Sequence, residues 1–103
     1  MVKKKQKQLW YLQPLHLGVQ SIEVKEVAEL QDWGQYREHP KPTILISPQD
    51  ETMVATTLLH EMLHAASAAY ELGLDERQVR ALDQIIPLIL RQNPELARRL
   101  LGN

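Results

Sequence analysis

From Gln20 to Val27 apolar and polar residues alternate, with Ile22, Val24 and, less regularly, Val27 set against Glu23 and Lys25. A period of two sends successive side chains to opposite faces, so this stretch predicts a half-buried strand. Val24 to Leu30 can also be read as a helical turn. Thr43-Ile44-Leu45-Ile46-Ser47 is a short β-branched apolar run and predicts a second strand. Leu9 to Leu17 mixes apolar and polar residues around Pro14, the pattern of an edge strand with a break. Asp32 to Pro42 carries Gly34 and Pro40 and reads as a loop or hairpin connection.

Past Ser47 the period changes to that of a helix. Ser47 suits the N-cap and Pro48 the first helical position, with Asp50 and Glu51 placing acidic charge in the first turn. The pattern runs to about Leu72, where Gly73 suits a C-cap. Leu58, Leu59, Met62, Leu63, Ala65, Ala66 and Ala69 make this helix apolar around much of its circumference, which predicts a largely buried element. Met62 and Leu63 are read as core packing. Asp75 then caps a second helix, with Gln78 in the capping-box position and Val79, Leu82, Ile86 and Ile89 as its apolar stripe. Pro87 inside that stripe predicts a kink. Asn93-Pro94 restarts a last short helix, Glu95 to Leu101, ended by Gly102. The fold class is therefore α+β: an antiparallel sheet of two or three strands, a central helix and a C-terminal helical hairpin.

Composition narrows the chemistry. With 103 residues the chain is long enough for one domain with one modest core. Residues 1–8 read as a basic, flexible tail and 9–103 as the domain. A formal net charge of −1 provides no global attraction for nucleic acid, which makes such a partner unlikely; only the lysines of the tail could act as a nucleic-acid arm. No apolar run follows that tail as in a signal peptide, and no stretch is long enough to span a membrane. The chain has no cysteine. Disulfide scaffolds and thiolate metal sites are thus excluded, and the expected compartment is the cytoplasm.

The segment His60-Glu61-Met62-Leu63-His64 carries the chemistry. In H-E-x-x-H the two histidines fall on one helix face about one turn apart, so both rings can reach one metal. Glu61 is offset by roughly 100° and can reach a water on that metal. Its carboxylate lies on a mostly buried helix, where it would be costly without such a partner. A catalytic zinc takes three protein ligands and keeps one position open. Position 70, where an extended motif would place a third histidine, holds Tyr70, and position 67 holds Ser67 rather than glycine. Glu71 lies roughly 10 Å along the axis from His64, too far unless the helix ends early. The second helix provides Glu76 and Asp83. Hairpin geometry favours Asp83, which sits about as far after the turn as His64 sits before it; Glu76 requires the first helix to stop near Ala68. His16 and His39 are third-choice ligands, read first as surface residues. Tyr36, Tyr70 and His39 are candidates to donate to an oxyanion.

Gly34-Gln35-Tyr36, Ile44-Leu45-Ile46, the run Thr57 to Ala65, Asp75-Glu76 with Val79 and Leu82, and Asn93-Pro94-Glu95-Leu96 recur in that order in the small zinc peptidases of phages and prophages. From about residue 20 onward the chain resembles that family. It is similar to minimal gluzincins and, more remotely, to the ImmA/IrrE-type metallopeptidases. The resemblance implies a zincin-like fold, bound Zn2+ and a peptide or protein substrate, in the cytoplasm of a phage's host cell. It implies Glu76 as the third ligand, because an acidic residue three positions before the valine of the second helix recurs there. It also implies Glu61 as the catalytic base, with substrate added as a strand along Thr43–Ser47. Two other function classes fit the same residues: a non-catalytic or latent metal-binding module, and a small phage regulatory protein using its basic tail on nucleic acid.

Overall fold

The alternation at Ile22 and Val24 is realised as a strand. In the computed structural model, which describes residues 9–102, four strands form one sheet: β1 (Leu15–Leu17), β2 (Gln20–Glu26), β3 (Gly34–Arg37) and β4 (Thr43–Ile46). Helices α1 (Glu51–Ala69), α2 (Glu76–Gln92) and α3 (Pro94–Leu100) follow. The fold is α+β, but the sheet corrects the expectation of two or three antiparallel strands. Its order is β1-β2-β4-β3. β2 and β4 run parallel, with Val24 opposite Ile44, while the β1–β2 and β3–β4 pairs are antiparallel. The parallel pair arises because the chain leaves β2, crosses to the far edge to make β3, and returns to fill the centre with β4.

β3 lies inside the segment read as a loop. Only Gly34 and Tyr36 turn inward, and Gln35 and Arg37 are exposed, so the strand carries almost no apolar signal. Of the expected edge strand at 9–17 only Leu15–Leu17 is extended. Trp10–Leu12 is a 3-10 turn, closed by Leu12 N–H donating to Leu9 O at 3.1 Å. The Trp10 indole N–H donates to Glu51 at 3.0 Å and ties this turn to the start of α1. The 1–8 tail lies outside the described residues.

Ile22, Val24, Ile44 and Ile46 from the two central strands meet Val54, Leu58 and Ala65 of α1, and these form the core. Met62 packs against it as expected. α1 itself is buried along one stripe, Val54, Leu58, Glu61 and Ala65, rather than all round, and Met53, Ala55 and Thr56 are exposed. Both ends of α1 differ from the sequence reading. Its N-cap is Asp50, whose carboxylate accepts from Thr52 N–H and Thr52 Oγ1 at 3.0 Å. That N–H contact holds the Asp50 carboxyl below its usual range. The hydroxyl of Ser47, the expected cap, instead donates to Trp33 O at 3.4 Å and helps fasten the end of β3 to β4.

α1 stops at Ala69, three residues before the expected end. Ser67 accounts for the stop. Its hydroxyl accepts from Leu74 N–H at 2.9 Å, and its carbonyl accepts from Leu72 N–H at 2.9 Å. Glu71 and Gly73 take left-handed φ values of 53° and 66° to reverse the chain. The reversal delivers Asp75 to the N-terminus of α2, where the expected capping box forms with Gln78. α2 stays helical through Pro87 to Gln92. Among the described residues no helix is long and apolar enough to cross a membrane.

Candidate metal centre

The early end of α1 brings the first turn of α2 beside His60 and His64. His60 Nε2 is in contact with Glu76 Oε1, and His64 Nε2 lies 3.3 Å from Glu76 Oε2. One donor atom from each of His60, His64 and Glu76 falls within 4.8 Å of the others, so the three could hold a metal ion. Ligand atoms about 2.0–2.1 Å from one tetrahedral ion stand roughly 3.3 Å apart, and the His64–Glu76 separation matches that spacing. Two imidazoles and a carboxylate, with no thiolate, make a donor set that fits a borderline divalent cation.

Asp83 is engaged as well, but on the other side of the same ring. Its Oδ2 lies 2.6 Å from His60 Nδ1. Asp83 is buried, and its second oxygen accepts from Gln84 Nε2 at 3.1 Å. An ionised Asp83 there requires the proton on Nδ1, which leaves Nε2 free to serve as a ligand atom. The two acidic residues are therefore not rivals for one position. Glu76 faces the donor nitrogen, and Asp83 orients the ring from behind.

His60 is read as holding its proton more tightly than an ordinary histidine. Burial opposes the charge, but the Asp83 and Glu76 carboxylates, with Glu61 beyond them, outweigh it. A proton and a metal ion are thus alternatives at His60 Nε2.

Glu61 stands on the buried stripe of α1 and is only 6% exposed. Its carboxylate makes no hydrogen bond among the described residues. Burial raises its pKa; His60 and His64 pull it back, and Glu76 and Asp32 add to the rise. The group is therefore a stronger proton acceptor than a solvated glutamate.

Across from Glu61 runs β3, and Gly34 sets how closely. A Cβ at position 34 would lie 2.8 Å from Thr57 Cγ2 and 3.1 Å from both Glu61 Cγ and Glu61 Oε2. Only a residue without a side chain lets the strand pass this close to α1. The cleft between them is lined by Trp33, Gly34 and Tyr36 on the strand side, by His60, Glu61 and His64 from α1, and by Glu76, Arg80 and Asp83 from α2.

The other expected residues separate clearly. Tyr36 is in the cleft, and burial, followed by Glu38, raises its pKa and keeps its hydroxyl a donor. Tyr70 is 62% exposed and points toward the β1–β2 turn, where a Cβ on Gly18 would lie 3.6 Å from its hydroxyl. His39 lines a smaller cavity next to the cleft, sharing Tyr36, Glu38 and Ala68 with it, and His16 is exposed on β1. Glu71 lies in the turn after α1 and is not among the converging donors. Thr43–Ser47 is not an edge, because β4 pairs with β2 on one side and β3 on the other. The edge beside the cleft is β3. Arg80 was not singled out from sequence, although Glu76, Arg80 and Asp83 at i, i+4 and i+7 share one helix face.

Comparison of the chain with protein-family models, with curated proteins and with solved structures returns no match.

Proposed function

We propose that the chain is a zinc-dependent peptidase with a gluzincin-like site on a small zincin-like domain. His60, His64 and Glu76 hold the metal and Glu61 is the general base. One observation carries the reading: the carboxylate of Glu61, a residue only 6% exposed and with no hydrogen-bond partner among the described residues, opens into the cleft where three metal donors converge. Core packing gives no reason to keep an acid at position 61, whereas proton transfer does.

Zinc bound to this donor set supplies Lewis acidity toward a water and a substrate carbonyl. Glu61 accepts the proton of the attacking water at its carboxylate and delivers it to the leaving amine nitrogen. Asp83 fixes the tautomer and direction of His60. Tyr36, which lines the same cleft, would donate its hydroxyl to the developing oxyanion. An extended peptide adds to the free edge of β3, and Gly34 gives its backbone room beside α1. A structural zinc site is closed by four protein ligands. Asp83, the other acid of α2 that touches His60, faces Nδ1 rather than the donor cluster, which favours the catalytic reading over a purely structural metal. The phage family and a cytoplasmic location in the host belong to the same proposal, on the sequence resemblance.

The test is metal content and hydrolysis measured together. The purified protein should retain one zinc through gel filtration and cleave an unfolded protein until a chelator is added. Glu61→Gln should keep the zinc and lose on the order of 10²–10⁴-fold in rate. Wild type without zinc, or a Glu61→Gln protein that cleaves like wild type, would sink the reading.

A further inference from the structure

Arg80 is the one lysine or arginine among the described residues that line the cleft. It is exposed and makes no hydrogen bond or ion pair among the described residues. Its neighbours on the same helix face, Glu76 and Asp83, are already turned to the histidines. Their carboxylates therefore leave the guanidinium free. On the strand side the cleft carries Asp32 and Glu38, so both walls hold acids and Arg80 is the one lysine or arginine set among them.

Position 80 is one helical turn, roughly 6 Å, from Glu76. An extended peptide advances about 3.3 Å per residue. With its centre at the metal donors, a bound peptide brings a group one or two residues from the cut bond within reach of the guanidinium. A guanidinium meets a carboxylate through two parallel N–H donors, a pairing that a neutral amide cannot replace.

We propose that Arg80 is a substrate-binding residue that selects peptides with a carboxylate one or two residues from the cut bond. The carboxylate is either a free C-terminus or an acidic side chain. The inference deepens the peptidase reading and rests on it for the position of the cut. The alternative role for Arg80 is a solvated cation that offsets Glu76 and Asp83. That role would alter metal affinity but would not discriminate between a carboxylate and an amide.

The experiment uses two matched peptide pairs, one differing in a free or amidated C-terminus and one in an internal Glu or Gln. Cleavage is measured as kcat/KM on the zinc-loaded protein, and affinity by calorimetry on zinc-loaded Glu61→Gln. We expect a roughly ten- to hundredfold preference for the carboxylate member of at least one pair. The pair that shows it identifies the source. Arg80→Gln should bring the ratio to about one, and Arg80→Lys, which keeps charge without the fork, should leave part of it. No preference in wild type overturns the proposal. So does a preference that survives Arg80→Gln, because it would place the carboxylate on the metal or elsewhere. If nothing is cleaved, the peptidase reading fails by itself, and the calorimetric ratios still decide whether Arg80 binds a carboxylate.

Discussion

The sheet with α1 and the α2–α3 hairpin are held in very different ways. The first is a packed body in which Ile22, Ile44, Ile46 and Val54 are at most 1% exposed. The hairpin buries only Val79 and Asp83, while Ile85, Leu88, Ile89, Leu96, Leu100 and Leu101 remain exposed. The candidate site lies on the seam between them. The packed body contributes His60, Glu61 and His64; the hairpin contributes Glu76, Arg80 and Asp83. A site shared in this way makes docking of the hairpin and binding of metal two readouts of one contact, because what binds the native site also stabilises it.

The two histidines should break that contact to different extents. His60 is the hinge, since it touches Glu76 through one nitrogen and buried Asp83 through the other. His60→Ala leaves the Asp83 carboxylate buried without its cationic partner, a change that typically costs about 3 kcal/mol or more. The ion-pair contact of His64 is to the half-exposed Glu76 carboxylate, and its ring otherwise meets the edge of His60, so His64→Ala should cost about 1 kcal/mol or less. Both variants should lose metal. Urea unfolding in the presence of a chelator would separate them, and equal losses of stability would show that His60 does not secure the hairpin.

The packed body was largely legible in the sequence, and the seam much less so. Alternation around Ile22 and Val24 marked β2, and the unbroken apolar run at Ile44-Leu45-Ile46 marked β4, because one strand is buried on one face and the other on both. β3 escaped because it is an edge strand with one inward side chain, Tyr36, beside a glycine. The end of α1 escaped because it depends on where the Ser67 hydroxyl points, which local propensity does not encode. The capping box at Asp75 and Gln78 was readable, since both halves of it lie within four residues. For the site, the i, i+4 spacing made His60 and His64 plain. Hairpin geometry favoured Asp83 and the family resemblance implied Glu76; the fold brings both to His60, on opposite nitrogens. Spacing alone cannot assign a residue to one nitrogen of a ring.

Asp83 and the proton on His60 offer a finer cut along the same seam. With its folded pKa raised, charged His60 adds stability that is fully present below about pH 6.5. That contribution is lost as pH rises through the folded value. Metal needs the neutral ring, so zinc affinity should climb with pH over the same interval. Asp83→Asn removes an orienting partner and should weaken zinc binding roughly 10–100-fold at pH 8. It also removes part of what holds the proton, so the deficit should shrink toward pH 6. Competitive zinc titrations at the two pH values test both statements. A deficit of the same size at both would mean that Asp83 aims the ring without setting its protonation.

A last test concerns the packed body alone. Gly34→Ala places a methyl 2.8 Å from Thr57 Cγ2, and β3 can make room only by lifting from α1. Overpacking of this kind costs about 1–3 kcal/mol. Thr57→Ser removes the obstructing methyl and keeps the hydroxyl that donates to Gln49 Oε1 at 2.8 Å. The double variant should therefore recover much of the loss, and a double-mutant cycle by thermal unfolding would read the coupling directly. Additive losses would place the resistance at Glu61, whose Cγ and Oε2 stand 3.1 Å from the same point. In that case Gly34→Ala would displace the proposed base itself, and the seam would begin on the strand side of the cleft rather than at the hairpin.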